Sequence, residues 1–168
     1  MNKDLVKLAE TIKEIRIAMF TTIESDGRMF SRPMATLRIE PKSFDGKLWF
    51  FTDKNSDIVQ SIVLDQNVNL AYAEPAKQEY ISVCGIASQV EDRVKMKELW
   101  SAPMKAWFPE GIDDPNIALV CVEVTCAELW DAPPSKVVEL VGMVKAAATG
   151  ERYHGEKHQH HIDVRGAH

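Results

Sequence analysis

From Ile17 to Trp130 the chain is a succession of short strand-like runs linked mainly by tight turns, the pattern of an antiparallel sheet. Ile17 to Glu24 alternates in polarity, and Ser25-Asp26-Gly27-Arg28 is a hairpin turn into a strand expected over Met29 to Ile39. A second turn around Pro41 to Gly46 leads to Lys47 to Thr52. Asn55 or Ser56 then caps a short helix through Leu64. Val68 to Glu74, Glu79 to Glu91 and Leu119 to Trp130 complete the strands, with small residues Gly85 and Ala87 marking a bend or close backbone contact in the second of these. Helices are expected over Asn2 to Arg16 (stripe Leu5, Leu8, Ile12, Ile15), over the first half of Arg93 to Trp107 until Pro103 breaks it, and after Pro133-Pro134-Ser135 (stripe Val137, Val141, Val144, Ala148). The fold predicted is α+β, an antiparallel six-stranded β-barrel with flanking helices.

Several strands are apolar on both faces, with Ile81 and Val83 on one side and Tyr80 and Ile86 on the other. A barrel core takes one face, so the second must be covered by helices or by another subunit, which points to a homodimer. At 168 residues, residues 1–150 read as one domain and residues 151–168 as a His-rich tail expected to be mobile. A formal charge of −5 argues against nucleic acid as a partner. No window reaches the length of a membrane span, and Met1 to Arg16 mixes charge with apolar residues unlike a secretory signal, so a cytoplasmic protein without a membrane partner is expected.

The three cysteines, Cys84, Cys121 and Cys126, read as buried, reduced thiols. Cys121 and Cys126 are five apart, a spacing that on a regular strand sends them to opposite faces. All five histidines, His154, His158, His160, His161 and His168, lie in the tail, with no cysteine or well-placed carboxylate to complete a metal site; no metal is assigned. Asp113 and Asp114 read as a solvated loop, and no phosphate-binding glycine loop, dinucleotide fingerprint or Ser/His/Asp motif is present.

The chemistry concentrates between Arg32 and Ile62. An arginine on one strand can fork two phosphate oxygens. Thr52, Lys54 and Ser56 place two hydroxyls and an ammonium ahead of a helix start, where unpaired N–H groups attract anions. Taken singly, Arg32 is an ordinary surface arginine and Ser56 an ordinary cap. Together, and beside the apolar Trp49-Phe50-Phe51, they form a corner for a ligand with a phosphate at one end and a flat ring at the other, for which FMN is the candidate.

The ordered series Arg32-Pro33-Met34, Leu48 to Asp53, Val68-Asn69-Leu70, Gly85-Ile86-Ala87, Glu98-Leu99-Trp100 and Trp107 to Gly111 with Asp113-Asp114-Pro115 resembles the general stress protein 26 group of the pyridoxamine 5′-phosphate oxidase-like proteins. The resemblance spans about residues 5–150 and implies an FMN-binding split β-barrel, a homodimer with flavin sites at the subunit interface. It implies that Arg32 and Ser56 bind the phosphate. The backbone of Pro33, Met34, Ala35, Thr36 and Leu37 would line the ring, and Phe51 and Thr52 would contact ring edge and ribityl chain. Gln78 would reach a flavin from the partner, and Trp107 would close the pocket across the interface. One departure stands out: the basic residue usual two positions after this serine is Ile58 here, preceded by Asp57, which leaves Lys54 as the substitute cation. The function implied is electron or hydride transfer through bound FMN, with FAD as the other flavin. The alternatives are a non-catalytic flavin-binding or redox-sensing module, and a haem-binding barrel using tail histidines.

Overall fold

In a computed structural model of the chain, which describes residues 3–131, 136–150 and 159–164, the strands form one antiparallel sheet. The elements are α1 (Lys3–Ile15), β1 (Ile17–Ile23), β2 (Met29–Ala35), β3 (Lys47–Asp53), α2 (Asp57–Leu64), β4 (Asn67–Glu74), β5 (Glu79–Val90), α3 (Arg93–Leu99), β6 (Ile117–Trp130), α4 (Lys136–Thr149) and β7 (Gln159–Asp163). The order across the sheet is β2-β1-β4-β5-β6-β3, with β7 added on β6. Curled on itself, the six-stranded path is a split barrel whose two edges are β2 and β3.

The barrel closes around inward side chains of every strand. Phe20 and Phe50 meet edge to face at 5.3 Å between ring centroids, both fully buried, an arrangement worth about 1 kcal/mol beyond the area buried. α1 contributes Leu8, Ala9 and Ile12 to this core, and α2 contributes Ile58, Val59 and Ile62. α2 feeds into the start of β4, while α1 is tied by the Glu14–Lys77 ion pair to the turn that ends β4. The two helices therefore seal opposite ends of the barrel. Trp49 and Phe51 point outward from β3 and pack beneath α3 with Leu37, Met96, Leu99 and Leu119. Helices thus cover the outer face on β3, but leave Ile17 and Met19 of β1 and Met29 of β2 exposed.

Several expectations need correction. The second strand stops at Ala35 rather than Ile39: beyond it, Thr36 N–H donates to Arg16 O (2.9 Å) and Leu37 N–H to Trp49 O (2.8 Å), so the chain leaves β1 and crosses towards β3. The stripe expected on α4 is not packed at its C-terminal half, where Val144 and Ala148 are exposed; the side chains of Val137 and Val141 lie outside the described residues. The tail returns as a strand: residues 159–163 pair with β6, and Ile162 and Val164 enter the core. Hydrophobic burial offsets the entropy of ordering that segment.

The cysteines also differ from expectation. Cys84 pairs with Cys126, but the next residue, Gly85, pairs with Val124, so Thr125 is an extra residue on β6. This β-bulge reverses the alternation, and buried positions run Val120, Val122, Val124, then Ala127 and Leu129. Cys121 and Cys126 consequently share the outer face. Cys121 is buried there, whereas Cys84 is exposed.

Candidate functional site

The hairpin turn at residues 24–28, closed by Gly27 N–H donating to Glu24 O, sets Phe20 opposite Arg32. That register aims the Arg32 guanidinium along the barrel wall towards α2. Its Nη1 donates to Thr22 Oγ1 at 2.7 Å and its Nη2 to Glu24 Oε1 at 3.3 Å. Ser61, in the second turn of α2, donates to the same Glu24 oxygen at 3.0 Å. The Ser61 hydrogen bond, and then those from Arg32 and Thr22, hold the Glu24 carboxyl below its ordinary value of 4.5.

Across the barrel split, the penultimate residue of β3 is Thr52, whose hydroxyl donates to Ser56 Oγ at 3.1 Å. Ser56 is the N-cap of α2, accepting from Val59 N–H at 3.5 Å. Asp53 shapes the turn, its carboxylate accepting from Asn55 N–H at 2.7 Å. The tertiary structure therefore brings Arg32, Thr52 and Ser56 to one end of the barrel, around the first turns of α2. Lys54 lies in the same turn, held by its N–H to Asn116 O. Among the described residues, no hydrogen bond or ion pair draws its ammonium into the corner.

Two features of this corner weigh against an anion. Ile58 is 2% exposed and belongs to the barrel core, so its position cannot present a second cation without emptying part of that core. Glu24 already partners the guanidinium. Thr22, Glu24 and Ser61 were not singled out in the sequence, although the hairpin turn alone sets Thr22 two residues from the partner of Arg32. Ser61 is the hydroxyl one turn after Asp57, whose carbonyl it also reaches.

Towards the other end of the split, Pro33, Met34 and Ala35 continue β2, and at about 3.3 Å per residue Ala35 lies roughly 10 Å beyond Arg32, after which the chain turns through Thr36 and Leu37 towards β3. Thr36 is buried, its hydroxyl bonded to Tyr72 OH at 2.8 Å. Burial raises the Tyr72 phenol far above its ordinary value, against that hydrogen bond, so it stays neutral at all ordinary pH. A cavity of about 300 Å³ opens beside Thr36 and Leu37, bounded by Ile12 and Arg16 and by Trp100 and Met104. Phe51 is withdrawn from the split and packs on Trp100, with ring centroids 6.0 Å apart.

Gln78 and Trp107 are not gathered into the corner. Gln78 sits, exposed and at φ 56°, in the β4–β5 turn at the α1 end of the barrel. Trp107 is 75% exposed after a short 3₁₀ turn at Ala102–Ala106. In the tail, His160 lies 3.7 Å from Asp131 and His161 3.6 Å from Glu128. No metal-binding cluster occurs among the described residues, and His154, His158 and His168 fall outside them.

A profile of the family described as pyridoxamine 5′-phosphate oxidase like matches residues 3–154. The chain belongs to that family. The protein bli-3 of Neurospora crassa is 24% identical over 160 residues, covering 90% of this chain and 76% of its own length. The crystal structure of the general stress FMN/FAD-binding protein of Xanthomonas citri is 28% identical, with a TM-score of 0.68 over 80% of this chain and 93% of that one. A protein of Clostridium acetobutylicum related to general stress protein 26 superposes over 100% of both chains with a TM-score of 0.71 at 15% identity, a likeness of fold. Among the described residues no helix is long and apolar enough to cross a membrane.

Proposed function

We propose that this family member binds FMN in the barrel split and passes electrons or hydride through it, as a cytosolic homodimer. The observation that carries the reading is the convergence of Arg32 with the Thr52–Ser56 hydroxyl pair at the start of α2. A bound flavin would supply the redox chemistry, and the chain supplies binding and orientation. Arg32 and Ser56 would hold the phosphate, with Lys54 from the adjacent turn as the further cation. The backbone of Pro33, Met34 and Ala35, on the free edge of β2, would present hydrogen-bonding groups to the ring, with Thr36 and Leu37, whose N–H groups are bonded to Arg16 O and Trp49 O, beside it. Thr52 would bound it from β3, with Phe51 behind that wall against Trp100. A flavin in the same split fits the printed description of the Xanthomonas citri relative, which leaves FAD as the other choice. The unpaired thiols agree with a reducing compartment.

The uncovered outer face supports the dimer. Ile17 and Met19 are 49% and 43% exposed, and Pro33, Ala35 and Ala71 adjoin them in register. Covering that face would also give Gln78 and Trp107 a flavin to meet on the partner. Met19→Asp is expected to raise the dimer dissociation constant at least about tenfold, because a carboxylate would be desolvated in an apolar contact. Sedimentation velocity checks this; an unchanged dimer would move the interface elsewhere.

The reading is tested by titrating FMN into purified protein and then adding NADH or NADPH anaerobically. Saturable binding with bleaching of the flavin band is the expected result. Binding without reduction by either donor, or by other small reductants, would favour the non-catalytic flavin module. That second reading has its own support: Glu24 is the one titratable acid or base in contact with Arg32 among the described residues, and Asp57 opens α2. Failure to bind FMN at millimolar concentration would remove both.

A further inference from the structure

The register of β5 on β6 places two thiols face to face. Cys84 and Cys126 are direct cross-strand partners, immediately before the bulge at Thr125. Directly opposed residues of antiparallel strands have Cα atoms about 4.5–5.5 Å apart, inside the roughly 4.4–6.8 Å range that a disulfide spans. The bulge matters here, since regular pairing would set Thr125 opposite Cys84 and turn Cys126 into the core.

We propose that Cys84 and Cys126 form a peroxide-responsive dithiol that closes to an intramolecular disulfide across β5 and β6. Cys84 is the exposed member and the one a peroxide meets first. Asn69, its neighbour on β4, turns its amide towards the Cys84 sulfur at 3.9 Å. Cys126 is half-buried and hydrogen-bonded to Cys84; burial first, and that contact second, push its thiol above the ordinary value. It is therefore the resolving partner. Cys121 lies buried on the covered part of the outer face, its thiol pushed up to about 11 by burial, and takes no part. Asn69, Ser82 and Glu128 surround the pair, so it sits on a polar stretch of the sheet, bordered at Ala71, the partner of both Ser82 and Met19, by the apolar Ile17–Met19 surface.

The chemistry balances with hydrogen peroxide as the oxidant. The Cys84 thiolate attacks one peroxide oxygen, the O–O bond breaks, and protonation of the other oxygen releases water, leaving a sulfenic acid. The Cys126 sulfur then attacks the Cys84 sulfur, and the S–O bond breaks. The hydroxide leaves as a second water, taking up the proton that Cys126 loses. Two thiols are oxidised to one disulfide and one peroxide is reduced to two waters.

The test treats the full chain with a modest excess of hydrogen peroxide, blocks remaining thiols under denaturing conditions, and measures intact mass without reductant. The expected product has lost two hydrogens, carries one blocked thiol, and reverts with dithiothreitol. Cleavage after Arg93 and after Glu123 separates the cysteines onto three peptides, and those of Cys84 and Cys126 should be linked. Cys84→Ser and Cys126→Ser should lack the linked product, while Cys121→Ser should keep it. Should a variant fail to fold, the wild-type peptide map decides alone. Oxygen addition without loss of hydrogen, linkage through Cys121, or a disulfide between two chains would each overturn the proposal. None of these outcomes depends on flavin binding.

Discussion

Replacing Arg32 by alanine is expected to weaken FMN binding by roughly a hundredfold, the upper part of the about 1.5–3 kcal/mol attached to a charge-assisted hydrogen bond. The upper part applies because the change does two things at once. It removes the guanidinium fork, and it leaves the Glu24 carboxylate, now without its Arg32 partner, facing the incoming phosphate. Arg32→Lys keeps the charge but not the fork, and should fall between the two at about tenfold. Glu24→Gln should act in the opposite direction. The hydrogen bonds from Ser61 and Arg32 hold the Glu24 carboxyl below 4.5, so at neutral pH it is a full negative charge beside the phosphate site. Neutralising it should tighten FMN several-fold, and more at low ionic strength. Below that depressed value the wild type should converge on the glutamine variant, because protonation removes the same charge. Fluorescence titration of FMN against the four proteins reads all of this. Unaltered affinity in Arg32→Ala would dismiss the phosphate corner, and weaker binding in Glu24→Gln would make Glu24 the group that orients Arg32.

Gly85→Ala is expected to cost about 3 kcal/mol of folding stability, lowering the melting temperature by about 10 °C. A Cβ at position 85 would lie 2.5 Å from Val122 Cγ1 and 2.8 Å from Glu123 O. The valine methyl can rotate away at some cost in packing, but the carbonyl belongs to the β6 backbone inside the ladder and can yield only if the strands part. The expected loss therefore comes with weakened β5–β6 pairing, visible as faster amide exchange at the bulge. Gly27→Ala is the informative contrast. Gly27 has φ 81° with nothing within 4 Å of the added carbon, so its cost is backbone strain alone, about 1 kcal/mol. Chemical denaturation of both variants separates the effects, and equal losses would refute a steric role for Gly85.

Much of the architecture was legible along the chain because its determinants are local. Alternating polarity marked the strands, Ser-Asp-Gly-Arg marked the hairpin, and a serine ahead of an apolar run marked the cap of α2. Each depends on residues a few positions apart. Arg32, Thr52 and Ser56 could be nominated on the same basis, since their order along two strands and a cap already implies a shared barrel end.

What the sequence could not determine was which distant group would face which. The fork of Arg32 is occupied by Glu24 because the hairpin register and the docking of α2 bring three separate segments to one point. Residues 159–164 rejoin the core because β6 offers them an edge to pair with, a fact no tail composition records. Cys84 meets Cys126 because one unpaired residue, Thr125, reverses the alternation of β6 at the place where β5 lies beside it. Periodicity is a property of a single strand. Register, bulges and the filling of an edge are properties of pairs, decided only when the whole sheet buries one face at once.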